Sequence, residues 1–106
     1  LMSMNNPEDL KLVTLATSTL ARSQAKQAAA LRDTTGRTYV AINVAAPSLQ
    51  LDSLQAVLTV ALASGITGIE SVVTVGEKPA SSLVITEFAP KATVFYIDSS
   101  GDNHLL

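Results

Sequence analysis

The sequence predicts a three-layer α/β/α sandwich around a mixed four- to five-stranded sheet. Three observations predict it. The segment signals run helix, hairpin, helix, strand, helix, strand, with no internal repeat and no low-complexity stretch. The strands after the hairpin are short, β-branched apolar runs, which suit a sheet covered on both faces. The chain has 106 residues, 47% hydrophobic and 15% charged, so it can close one core and is not a disordered chain. One domain is expected over residues 1–106. Leu1 ahead of Met2 reads as a cloning remnant, and residues 1–5 are expected to be disordered or foreign to the natural chain.

The first helix is expected from about Pro7 to Arg22. Asn6 suits the N-cap, Pro7 the first helical position, and Glu8 and Asp9 the positive end of the dipole. Leu12, Val13, Ala16 and Leu20 then share one face. Ala28–Arg32 and Arg37–Val44 read as a hairpin across Asp33-Thr34-Thr35-Gly36, with Gly36 free to take a positive φ. Pro47-Ser48 reads as a break before the next helix.

Leu51–Ser64 reads as a helix that is apolar on nearly every side and ends at Gly65. Lacking a broad polar face, it is expected to be buried on more than one side, partly by a neighbouring subunit. Ser71–Val75 reads as an interior strand and Gly76–Pro79 as a loop. Ser81–Phe88 reads as a short helix capped by a hydroxyl at or near Ser81 and ended by Pro90. Ala92–Ile97 is the next strand, and after a turn at Ser99–Asp102 one more begins at His104-Leu105-Leu106.

The totals exclude several function classes. Net charge is −2 with no basic stripe, and Tyr39, Phe88, Phe95 and Tyr96 are too few for a base-stacking platform. No nucleic-acid partner is expected. Absence of cysteine excludes disulfides, thiolate nucleophiles and thiolate metal sites. The apolar helix is too short to span a bilayer, so no membrane partner is expected either. With no leader pattern at its start, the chain is expected in the cytoplasm.

One set of residues carries a family likeness. Ala29-Ala30-Leu31, Gly36, Tyr39 and Asn43 precede the helix running from Leu51 to Gly65, and Pro79–Phe88 ends in Glu87-Phe88. In order and spacing these features resemble the cytidine deaminase-like family, the small zinc-dependent nucleoside deaminases, from about Pro7 to Ile97. The link before Leu51 is about two residues shorter than in that family. The resemblance implies three Cys or His ligands holding zinc at two helix N-termini, with a Glu that shuttles protons. It also implies assembly into dimers or tetramers.

The residues depart from that pattern. Counting back from Gly65 places Asp52 at the first ligand position and Leu54 at the catalytic Glu. Counting on from Pro79 places Ala80 and Leu83 at the two cysteines. The ribose-contacting Asn-x-Glu motif keeps Asn43 but has Ala45, and the ring that walls the base pocket corresponds to Ala25. The resulting vestigial pocket comprises Asn43, Ala45, Asp52, Leu54, Pro79, Ala80 and Leu83. No catalytic residue, metal ligand or cofactor is expected, and zinc is expected to be absent.

Each candidate has a functional and a plainer use. Asp52 is either a relic ligand or an acid favoured at a helix start. Asn43 either contacts a hydroxyl of a ligand or closes its own strand end. Ser81 and Ser82 either serve an anion site or cap a helix. His104, the sole histidine, is expected to be exposed and incidental. Glu87 is expected to face solvent or pair with Lys91. The expected function is that of a catalytically degenerate, homo-oligomeric binding or structural protein. The alternative is an enzyme with zinc-independent chemistry in the same pocket.

Overall fold

The computed structural model describes residues 6–106. The expectations for residues 1–5 lie outside the described residues. Helix α1 (Pro7–Ser23) starts where its signals place it, with Asn6 Oδ1 accepting from Glu8 N at 2.9 Å. Strands β1 (Gln27–Asp33) and β2 (Thr38–Ile42) pair antiparallel across the predicted turn. There Asp33 Oδ1 accepts from Thr35 Oγ1 at 2.7 Å, Arg37 N at 2.9 Å and Thr35 N at 3.0 Å.

The next segment corrects the sequence reading. The second strand ends at Ile42 rather than Val44, and Pro47-Ser48 is the turn of a small separate hairpin. Its strands are β3 (Val44–Ala46) and β4 (Leu49–Leu51). The chain leaves the sheet at Asn43, whose Oδ1 accepts from Gln27 N at 3.0 Å and Lys26 N at 3.2 Å. That side chain closes the end of β1 and takes the place of a further strand residue.

Helix α2 (Ser53–Ala63) follows, with Asp52 as its N-cap. It ends in a Schellman arrangement, in which Gly65 N donates to Leu62 O at 3.0 Å and Ile66 N to Ala61 O at 3.3 Å. Then come β5 (Ile69–Gly76), α3 (Leu83–Phe88), β6 (Thr93–Ile97) and β7 (Asn103–Leu105). The five-stranded sheet has the order β2-β1-β5-β6-β7. Only β5 and β6 run parallel, so the sheet is mixed, as expected. No helix among the described residues is long and apolar enough to cross a membrane.

The two faces of the sheet carry separate cores. Helix α1 lays Leu12 and Ala16 on Ala28, Ala30, Val73, Val75 and Phe95. On the other face α2 and α3 lay Leu54, Val57, Leu58, Ala61 and Ile85 on Ala29, Leu31, Val72 and Val94. Strand β1 is buried throughout, so its alternating alanines meet a helix layer on each side. Alanine is a poor strand former. Here its small size lets both layers approach the same strand.

Polar groups fasten the layers. Arg32, at the far end of β1, lies 2.9 Å from Asp9 of α1 and 2.7 Å from Glu70 of β5. Burial works against its charge, but the bonds and charges of Glu70 and Asp9 outweigh this and hold its pKa above the usual value. Asp9 therefore does more than complement the helix dipole. His104 is likewise not incidental. It is half-buried in β7 opposite Tyr96, with Nε2 2.8 Å from Asp98 Oδ2. That bond and the Asp102 and Ser100 amides hold the Asp98 carboxyl below the usual range.

Helix α2 buries a single stripe within this chain. Leu54, Val57, Leu58 and Ala61 point inward, while Val60 and Leu62 are 42% and 44% exposed. Among the described residues, α3 adds cover beside the sheet but leaves Val60 and Leu62 exposed.

Two tests follow from the fold. Gly76 has φ 93°, and a Cβ there would overlap the Lys26 carbonyl oxygen. Gly76→Ala should cost roughly 2–4 kcal/mol in urea denaturation, by left-handed strain plus overlap. Burial pushes the Asp33 carboxyl up, but bonds from the Thr35 hydroxyl and the Arg37 and Thr35 amides outweigh it and hold it low. Its contribution to stability is therefore present above the unfolded carboxyl value, about 3.9, and is lost as pH falls through the lower folded value. Asp33→Asn should be less stable at neutral pH and lose less stability on acidification, as measured by unfolding free energies from pH 7 to pH 2.

Candidate functional site

The predicted site residues meet around the start of α2. One hollow of about 420 Å3 is lined by Ala25, Asn43, Ala45, Asp52 and their neighbours, among them Gln50 and Glu77. A second, of about 350 Å3, is lined by Asp52, Gln55, Ala80, Ser81, Leu83, Val84 and Glu87. Asp52 belongs to both. The positions matched to the three ligands, Asp52, Ala80 and Leu83, therefore share one hollow. Those matched to the ribose and base contacts share the other.

Two predicted members lie elsewhere. Leu54 is fully buried among Ala29, Leu31, Val57 and Ile85 and lines neither hollow. Helical phase explains this, because Leu54 shares the inward stripe with Val57, Leu58 and Ala61. Pro79 is buried in the loop before α3 and also lines neither hollow.

Several polar side chains here are already engaged. Asp52 Oδ1 accepts from Gln55 N at 2.8 Å, and Gln55 Oε1 accepts from Asp52 N at 2.9 Å. This is a reciprocal capping box, so Asp52 has the plainer of its two uses. Asn43 spends its oxygen on two amides of its own sheet edge. Ser81 Oγ accepts from Leu83 N at 2.9 Å, while Ser82, the N-cap of α3, makes no side-chain cap bond. Glu87 is exposed, the first of its two expected placements, and lines the second hollow without pairing with Lys91, which lies past the end of α3 at Phe88.

Sequence reasoning missed the buried polar group under α2. Gln27 Oε1 accepts from Ser53 N at 2.9 Å, and its Nε2 donates to Glu77 O at 3.0 Å. The Thr74 hydroxyl donates to Ala28 O at 3.2 Å, which leaves the Ser53 hydroxyl as donor to Thr74 Oγ1 at 2.6 Å. The available signals were a glutamine just ahead of the apolar run Ala28–Leu31 and a threonine within a valine run. Neither names its partner, because the contacts span 21 to 50 residues.

The model of the family described as Cytidine deaminase-like matches residues 5–101. The chain belongs to that family. Among solved structures it is similar to cytidine deaminase from Burkholderia pseudomallei, with 21% identity and a TM-score of 0.77 over 97% of this chain and 92% of that one. It is also similar to cytidine deaminase from Mycobacterium leprae, with 18% identity and a TM-score of 0.71 over 95% of this chain and 94% of that one. At such identities the likeness speaks for the fold. No curated protein sequence matches it significantly.

A catalytic zinc in this fold takes three protein donors. Ala80 and Leu83 end in carbon, and the Asp52 carboxylate is held by its own helix. The residues at these positions do not fit the metal. Among the described residues no three His, Cys, Asp or Glu side chains gather as a ligand set.

Removing the cap should loosen α2 without touching the core. Asp52→Ala is expected to cost about 1 kcal/mol, and Asp52→Asn, a good cap itself, less. Urea denaturation of the two variants beside the parent checks this. Equal losses would mean that charge rather than the cap geometry carries the effect.

Proposed function

We propose that this chain is a catalytically degenerate member of the cytidine deaminase-like family that acts through binding or assembly and turns over no nucleoside. The observation that carries this reading is the state of the three ligand positions. They converge on one hollow, yet one carboxylate is spent in a capping box and the other two side chains have no donor atom. General acid–base catalysis contributes ~100- to 10,000-fold, and Leu54, at the position of the proton shuttle, lies in the core.

Assembly as a homo-oligomer, a dimer or tetramer, forms part of the proposal. It is supported by the exposed apolar residues of α2, Val60 and Leu62, and of α3, Leu83 and Phe88. Zinc is proposed to be absent from the working protein. The first hollow is within the usual size of small-molecule sites and is compatible with binding without turnover.

One observation favours a second reading, an enzyme with zinc-independent chemistry. Leu54 does not fill the second hollow, and Asp52, Ser81 and Glu87 all line it. Such an enzyme would depend on Glu87, the one of these with no bond to its own helix start.

The two readings separate in one set of measurements. The purified protein is assayed for metal by mass spectrometry, for turnover of cytidine and deoxycytidine with and without added zinc, and for native mass. The expected result is far less than one zinc per chain, no deamination, and a dimer or tetramer. Stoichiometric zinc with turnover would overturn degeneracy, and a clean monomer would overturn assembly. Metal-free turnover abolished by Glu87→Gln would support the second reading.

A further inference from the structure

The start of α2 has three of its first four N–H groups satisfied by protein side chains. Gln55 accepts from Asp52 N, Gln27 from Ser53 N, and Asp52 from Gln55 N. Two of these bonds are local. The third comes from another element, and the same amide that makes it also reaches Glu77 O in the loop leading to α3. Gln27, Glu77 and Asp52 all line the first hollow. Gln27 is itself only 8% exposed, and the Ser53–Thr74 hydroxyl pair behind it is fully buried. Tyr96 Oη adds a bond to Gly76 O at 2.9 Å, which fixes the residue before the loop.

We infer that Gln27 is a clamp that ties the start of α2 to the loop before α3 by hydrogen bonds alone. It joins the segments that a metal at the three ligand positions would otherwise join. An amide suits the task because it offers one acceptor and two donors on a rigid plane. A leucine in its place would leave Ser53 N and Glu77 O without their partners. A glutamate would satisfy Ser53 N but meet the Glu77 carbonyl with an acceptor. The clamp rests on the metal-free reading of the site, since a tie of this kind is needed only where no metal holds the walls. Gln27 acts on the hollow through the groups it holds and is a positioning residue.

The experiment has two arms with separate failures. In the first, the thermal unfolding of the parent protein is followed with zinc chloride and with a chelator. No shift in either direction is expected, and a chelator-induced fall would sink the metal-free reading and leave Gln27 to the second arm. In the second, residue-resolved amide exchange by NMR compares the parent with Gln27→Leu and Gln27→Glu. Gln27→Leu should lower the melting temperature by roughly 5–10 °C. It should also raise exchange roughly tenfold at Ser53 and Glu77, with β2 amides unchanged.

Gln27→Glu should keep Ser53 protected at pH 7 and open only the Glu77 side. As pH falls through the carboxyl range near 4.3 the side chain gains a proton to donate, and the loop should close again. A core residue without the clamp role would show neither the split nor the recovery. Uniform loss of protection across the chain, or identical behaviour of the two variants at every pH, would overturn the proposal. If Gln27→Leu does not fold, the split and the pH recovery in Gln27→Glu decide it alone.

Discussion

Strand β1 has to serve two helix layers at once, and the rest of the structure follows from how it does so. Its middle is a run of alanines with no exposed surface, so α1 and α2 pack against the same strand from opposite sides. Small side chains bring the layers close, but they provide little grip along the strand axis. Grip comes from the ends. Arg32 at one end reaches up to Asp9 of α1, and Gln27 at the other reaches down to Ser53 of α2. An apolar middle with polar ends fixes both the depth and the position of each helix. Truncating Arg32 would leave the buried Asp9 carboxylate unmatched, which typically costs ~3–5 kcal/mol.

Local chemistry was legible in the sequence, and non-local chemistry was not. The Asn6-Pro7 start of α1, the Asp33–Gly36 turn and the Gly65 stop each write their geometry in a few consecutive residues. The β3–β4 hairpin escaped because Pro47-Ser48 signals a turn but not what its flanks pair with. Arg32 read as an ordinary strand end, since Asp9 and Glu70 lie far from it in sequence. His104 looked incidental near the chain end, because its partner Asp98 lies across a turn.

The candidate site was legible in position more than in substance. Spacing from Gly65 and Pro79 named positions that do converge, at Asp52, Ala80 and Leu83. It could not show that Leu54 turns into the core, which depends on the phase of α2 against the sheet. Nor could it show that Asn43 and Asp52 spend their oxygens on backbone amides. Family membership fixes the architecture, whereas chemistry depends on which atoms remain free to act.

The capping box also bears on mutational history and engineering. At the start of α2 the residue that counting back from Gly65 matches to a metal ligand is the helix cap, Asp52. Any single step from this chain towards a thiolate set at that position discards the cap, at about 1 kcal/mol. One thiolate holds no catalytic zinc, so the loss comes before any metal can offset it. A path from this cap towards a cysteine at the same position therefore descends in stability at its first step.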